Sequence, residues 1–162
     1  MNKWVGIILV LLIISLVGCS KTEEIKDEDV LSLLKEYKTE QYTIEDPKVT
    51  PTGDEIATKV KEYLTEDALE AQEANRIFQL APDLAKNTNH SIELTNANVS
   101  KKKENDDGKV IYTYNLSLKL TDIKNSSSQN VEKKGEITVS NENELVITKD
   151  WQETSTFKDQ VF

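Results

Sequence analysis

The stretch Val110-Ile111-Tyr112-Thr113-Tyr114-Asn115-Leu116-Ser117-Leu118-Lys119-Leu120-Thr121 decides the fold class. Large apolar or aromatic side chains hold Val110, Tyr112, Tyr114, Leu116, Leu118 and Leu120 without a miss, and mostly polar ones hold the positions between. Successive side chains of a strand point to opposite faces, so this period of two predicts a long strand buried on one face and wet on the other. An antiparallel sheet with one covered face follows, and the covering layer lies elsewhere in the chain.

Working outward, the same period continues on both sides. Ile92 and Leu94 share one parity, whereas Ala97 and Val99 hold the other. That slip predicts a strand from Ser91 with a bulge near Thr95-Asn96. Lys101 to Gly108 reads as a polar hairpin loop closing in Asp107-Gly108, and Asn125-Ser126-Ser127-Ser128 as a second loop. Val131, Gly135, Ile137 and Val139 give a third strand, Asn141-Glu142-Asn143 a turn, and Leu145, Ile147, Trp151 and Phe157 a fourth.

Upstream the period becomes helical. Val30, Leu33, Leu34 and Tyr37 fall on one face of a helix from Asp27 to Gln41, with Asp27, Glu28 and Asp29 at the positive end of its dipole. Pro47 and Pro51 make Asp46 to Gly53 a connection. Thr52 and Glu55 have the spacing of a capping box, opening a second helix through Ile56, Val60, Tyr63 and Leu64. Thr65-Glu66-Asp67 opens a third, with Ala68, Leu69, Ala74, Ile77 and Phe78, and Pro82 is expected to end it. The element order is therefore α+β: three N-terminal helices followed by an antiparallel sheet of about four strands.

The first residues are of another kind. Lys3 precedes an apolar run from Trp4 to Val17, interrupted only by Gly6 and Ser15. This is the layout of a secretion signal, shorter than the ~20 apolar residues of a membrane-spanning helix. It ends in Leu16-Val17-Gly18-Cys19, which resembles the lipobox of bacterial lipoproteins. The resemblance implies cleavage between Gly18 and Cys19 and a diacylglycerol on the Cys19 sulfur. Residues 1–18 are then the signal peptide, 19–28 the lipidated cysteine and a polar tether, and 29–162 the exported domain. Two or more acyl chains hold a protein stably at a membrane, where one does so only marginally. The expected place is the outer side of the cell membrane, and a composition rich in Lys, Asn, Glu and Thr points to a Gram-positive host. Cys19 is the only cysteine, so no disulfide, catalytic thiol or cysteine metal site is expected in the exported domain.

Charge excludes further classes. Lys3 is the only charge in residues 1–18, so 20 basic residues become 19 against 29 acidic ones. A chain this acidic is not built for nucleic acid or for anionic lipid and wall polymers.

The helices-then-strands order, the long alternating strand, Gly135 within a strand and the late Trp151 together resemble the NTF2-like superfamily, across residues 27–158. The resemblance implies helices on the concave face of a bent sheet and a space between the layers. Tyr112, Tyr114 and Trp151 are the residues expected at such a pocket, although side chains of this kind more often fill a core. His90 is the only histidine and lies in a polar junction with no partner at close spacing, so no catalytic residue is expected. The acidic pairs Glu45-Asp46 and Asp106-Asp107 read as turn residues, and neither a metal nor a cofactor is expected. The expected function is a non-enzymatic protein-interaction module of the bacterial envelope, its partner another envelope protein. The alternatives are a binder of a small hydrophobic ligand, and after it a small isomerase or hydrolase.

Overall fold

A computed structural model describes residues 24–153. Gly18, Cys19 and Phe157 lie outside the described residues. Helix α1 spans Asp27–Tyr42, α2 Gly53–Val60, α3 Glu66–Ala74 and α4 Leu80–Thr88, with single 3-10 turns at Lys61–Tyr63 and Ile77–Gln79. Strands β1 (His90–Glu104), β2 (Val110–Asp122), β3 (Ser128–Asn141) and β4 (Leu145–Gln152) follow, forming one antiparallel sheet in chain order.

The helix starts follow their caps. Thr52 accepts the Glu55 amide at 3.2 Å through its hydroxyl, and the Glu55 carboxylate accepts the Thr52 amide at 2.8 Å. The Thr52 amide, together with the Thr52 hydroxyl that also donates to the carboxylate, holds the Glu55 carboxyl below its usual pKa. Thr65 caps α3 through the Ala68 amide.

Four helices stand where three were expected, because Pro82 does not end one. It lies in the first turn of α4 and is buried there. A first-turn proline has no intrahelical hydrogen bond to lose, so it is as compatible with a start as with a stop. The break comes earlier, at Arg76, whose φ of 55° turns the chain out of α3. Asn89, at φ 58°, ends α4 in the left-handed cap that precedes β1.

Along β2 the alternation holds to the last residue: Val110, Tyr112, Tyr114, Leu116, Leu118 and Leu120 are all buried. Against them pack Val30, Leu34 and Tyr37 of α1, Ile56 and Val60 of α2, and Ala81, Leu84 and Ala85 of α4. Two bridges tie the helical layer to the sheet edges. Ile44 and Ile92 exchange amide hydrogen bonds of 2.9 and 2.8 Å, and the Thr65 amide donates to the Ile147 carbonyl at 3.0 Å.

Three bulges set which residues face inward. In β1 the register skips Thr95, between Leu94↔Leu118 and Asn96↔Ser117, so Ala97 and Val99 take over the inner face. A second skip passes Lys102. The strand runs through Lys101 to Glu104, and the hairpin loop is only Asn105–Lys109, closed around Gly108 at φ 78°. The longer polar loop expected from Lys101 is thus corrected: those residues are paired with Val110 to Tyr112 but exposed, so no apolar alternation marks them.

The third bulge overturns the reading of the last strand. Val139 pairs with Ile147 and Thr138 with Lys149, leaving Thr148 as the extra residue. Inward positions after it are Asp150 and Gln152, and Trp151 turns to the outer face, 52% exposed. Trp151 is therefore no core anchor of the strand end.

Gly135 shows why a strand interior carries a glycine. It pairs with Tyr114 on the inner face, and a Cβ there would sit 2.4 Å from the Tyr114 ring and 2.3 Å from the Trp151 carbonyl oxygen. The tyrosine ring lies across the missing side chain. Gly135→Ala is expected to lower stability by about 1–3 kcal/mol through overpacking. An unchanged urea midpoint would show that the ring moves aside freely.

Candidate functional site

The most unusual chemistry of the domain is buried between α1 and the inner face of the sheet. Lys38 and Asp150 form an ion pair of 2.6 Å with both side chains fully shielded from solvent. Burying two charges costs several kcal/mol each, which their attraction offsets only with good geometry and further hydrogen bonds. Here the partners converge. The hydroxyls of Tyr37 and Tyr114 donate to the two carboxylate oxygens of Asp150, each at 2.9 Å. Lys38 also donates to Gln41 Oε1 at 2.8 Å, and its Nζ lies 4.3 Å from the Tyr37 ring centre and 5.2 Å from that of Tyr114. Gln72 of α3 donates to the Asp150 backbone carbonyl at 2.8 Å, and the Tyr42 hydroxyl bonds Gln152 Oε1.

Local structure explains the convergence. Tyr37, Lys38, Gln41 and Tyr42 occupy adjacent turns of α1, at i, i+1, i+4 and i+5, and all four are buried. The Thr148 bulge delivers Asp150 to them, and Gly135 gives Tyr114 room to reach it. Burial pushes the Lys38 ammonium down from its ordinary pKa, against the pull of Asp150. Burial raises the Tyr37 and Tyr114 hydroxyls well above theirs, and the Asp150 charge adds to that. Tyr42 is raised for the same two reasons, with its bond to Gln152 opposing them.

The residues expected at a pocket are separated by the sheet. Tyr112 is buried and donates to Asp27 Oδ1 at 2.9 Å, tying β2 to the first turn of α1. Tyr114 belongs to the buried network. Trp151 stands on the opposite face, beside an open groove of about 590 Å³ that also includes Ser100, Thr113, Lys134 and the Lys102–Glu136 ion pair, with Tyr114 and Gly135 beneath. His90 is half-buried at the start of β1, its Nδ1 2.8 Å from the Thr88 carbonyl oxygen. Asp46 and Asp107 accept the amides of Lys48 and Lys109 in their turns. Among the described residues, no three histidine, cysteine or acidic side chains gather where one ion would be held, and no helix is long and apolar enough to cross a membrane.

Lys38, Asp150, Gln72 and Gln152 were missed in the sequence. Only Lys38 left a trace there: it lies next to Tyr37 on the stripe that α1 buries.

Removing Asp150 strands a buried ammonium and two hydroxyls. Asp150→Ala is expected to cost about 3–5 kcal/mol, while the double change Lys38→Met with Asp150→Leu recovers most of that loss. Urea unfolding of the two variants measures it, and a double variant no more stable than Asp150→Ala would remove the coupling. The network also sets an alkaline limit. Tyr37, Tyr42 and Tyr114 hold their protons more tightly folded than unfolded, so their stabilisation is complete below the unfolded value near 10 and is lost as pH rises above it. Lys38 acts oppositely, since its lowered pKa makes its penalty fade as pH rises toward 10.5. Three tyrosines outweigh one lysine. The urea midpoint should fall above about pH 10, and less steeply in Tyr37→Phe; equal slopes would contradict this assignment.

No family model matches the chain, and no curated protein matches it in sequence. Solved structures match in fold. CagV, a VirB8 homolog of the type IV secretion system of Helicobacter pylori strain 26695, aligns with a TM-score of 0.54 at 11% identity, over 76% of this chain and 95% of that one. An IcmL-like type IV secretion system protein from Legionella pneumophila gives 0.52 at 8% identity, over 80% and 93%. TraH from the Gram-positive conjugative plasmid pIP501 gives 0.49 at 16% identity, over 81% and 96%. At such identities the first two likenesses are likenesses of fold: helices packed on one face of a bent four-stranded antiparallel sheet.

Proposed function

We propose that this chain is a lipid-anchored envelope protein whose NTF2-like domain holds another envelope protein in place, as a non-catalytic subunit of a secretion or conjugation assembly. The observation that carries this reading is the fold shared with CagV and the IcmL-like protein along almost their full lengths, 95% and 93%. Both are described as belonging to type IV secretion systems.

Other features favour it. The interior between helices and sheet is occupied by Tyr37, Tyr42, Tyr112 and Tyr114, whose hydroxyls are bound to the protein's own side chains. A ligand there would have to displace them. Asp150 and Lys38 are shielded from solvent, which a base or nucleophile acting on a substrate is not. The outer face of the sheet, by contrast, offers Trp151 beside a groove, and exposed tryptophan is a common anchor of protein interfaces. For the anchor, the support is the leader and the Leu16-Val17-Gly18-Cys19 sequence. An acyl anchor on Cys19 would leave the acidic domain facing outward on a short polar tether.

One experiment in the natural host tests both halves. The full chain carries a photo-crosslinking residue in place of Trp151, with and without Cys19→Ala. The expected result is a discrete adduct to one envelope protein, together with membrane-fraction protein that incorporates labelled fatty acid only when Cys19 is present. Unchanged fatty-acid labelling in Cys19→Ala would sink the anchor. A photo-adduct pattern equal to that of a position on the exposed Asn105–Lys109 loop would sink the docking face.

A further inference from the structure

The Lys38–Asp150 contact is an ion pair by distance. Nζ lies 2.6 Å from Oδ2, and neither side chain has measurable exposure. The two residues stand 112 positions apart, one on α1 and the other on β4. Four other lysine–carboxylate pairs occur among the described residues: Lys59–Glu40, Lys101–Glu104, Lys102–Glu136 and Lys109–Asp107. All of them have side chains a third or more exposed, the least exposed being Glu136 at 33%. Lys38–Asp150 is the one placed in a dry aromatic box, with the rings of Tyr37, Tyr114 and Tyr42 at 4.3, 5.2 and 5.8 Å from Nζ.

We propose that Lys38 and Asp150 condense spontaneously into an intramolecular amide cross-link that ties α1 to β4. The overall change is ammonium plus carboxylate giving a secondary amide plus one water. It needs no oxidant, reductant or activated phosphate.

The surrounding groups supply each step. A proton passes from Nζ to Oδ2 along their hydrogen bond and leaves an uncharged amine beside an uncharged carboxyl group. Burial already pushes the Lys38 ammonium toward its amine, the nucleophilic form. The Nζ lone pair then attacks Cγ, and the growing negative charge on Oδ1 meets the Tyr114 hydroxyl, which donates to that oxygen at 2.9 Å. The Nζ–Cγ bond forms, the Cγ–Oδ2 bond breaks, and Oδ2 departs as water carrying its proton and a second one from nitrogen. The Tyr37 hydroxyl, 2.9 Å from Oδ2, is placed to relay that second proton. Fixed geometry replaces the encounter of two separate reactants, which is worth many orders of magnitude in rate. The shielded site also keeps bulk water from driving the reverse hydrolysis. Because Gln41 and Gln72 hold Lys38 Nζ and the Asp150 backbone, both reactants stay in place while the reaction proceeds.

Mass spectrometry of the full chain, purified from its host and digested with trypsin, decides the matter. Trypsin cuts after a free lysine and not after an acylated one. The expected product is a branched species joining Glu36–Lys48 to Asp150–Lys158, lighter than the two peptides together by one water, with fragmentation placing the link at Lys38 and Asp150. Lys38→Arg should remove that species and restore cleavage after position 38. Free Thr39–Lys48 and Asp150–Lys158 in the same yield as the other peptides, with no branched species, would overturn the proposal. The decisive reading is taken on the unaltered chain, so it stands whether or not a variant folds.

Discussion

A carboxylate without water must take all its hydrogen bonds from the protein, and much of this domain is arranged around that requirement at Asp150. Its two oxygens receive Lys38 and the hydroxyls of Tyr37 and Tyr114, and its backbone carbonyl receives Gln72. The donors come from α1, β2 and α3, the acceptor from β4. No apolar contact has such directionality: a leucine can slide past its neighbours by an ångström, but a buried ammonium that slides loses its counter-charge. The network therefore fixes how the helical layer sits along the sheet, while the aliphatic rows of β2 supply the bulk of the driving force for burial.

The network in turn depends on backbone irregularities. Strict pairing in β4 would point Trp151 inward and Asp150 into solvent. The extra residue at Thr148 reverses this within two positions. A side chain at position 135 would evict the Tyr114 ring, and with it the bond to Asp150 Oδ1. The bulge at Thr95 has a matching effect on β1, carrying Ala97 and Val99 to the inner face and bending the strand over the helices. Bulges thus decide the chemistry of both sheet faces: aspartate and glutamine inside, tryptophan outside.

What could be read from the sequence follows from these facts. β2, the centre of the core, has no bulge, and its alternation was legible from Val110 to Leu120. The parity slip at Thr95 was visible because large apolar residues flank it on both sides. At Thr148 the flanking inward residue is Asp150, so the apolar pattern gave no sign of the slip and Trp151 took the wrong face. Pro82 misled for a different reason, since proline is compatible with a helix start and a helix stop alike, and the αL residue that breaks α3 is an arginine, a type with no turn signature. The Lys38–Asp150 pair was illegible in principle: a lysine on an amphipathic helix and an aspartate near a strand end are ordinary surface residues until tertiary packing brings them together.

The two faces of the sheet divide the roles. Inside, ionisable groups are so enclosed that their consequences are internal: register, alkaline stability and, if the amide forms, a permanent tie between the first helix and the last strand. Such a tie would close most of the described chain into one covalent loop, with the Asp150 end of β4 unable to peel from the sheet without carrying α1 along. Outside, on the same short segment, Trp151 faces solvent beside the Lys102–Glu136 pair. A partner that pulls on Trp151 would thus pull on a strand whose neighbouring residue is anchored through the core. Holding force and internal clamp would meet at consecutive residues, Asp150 and Trp151.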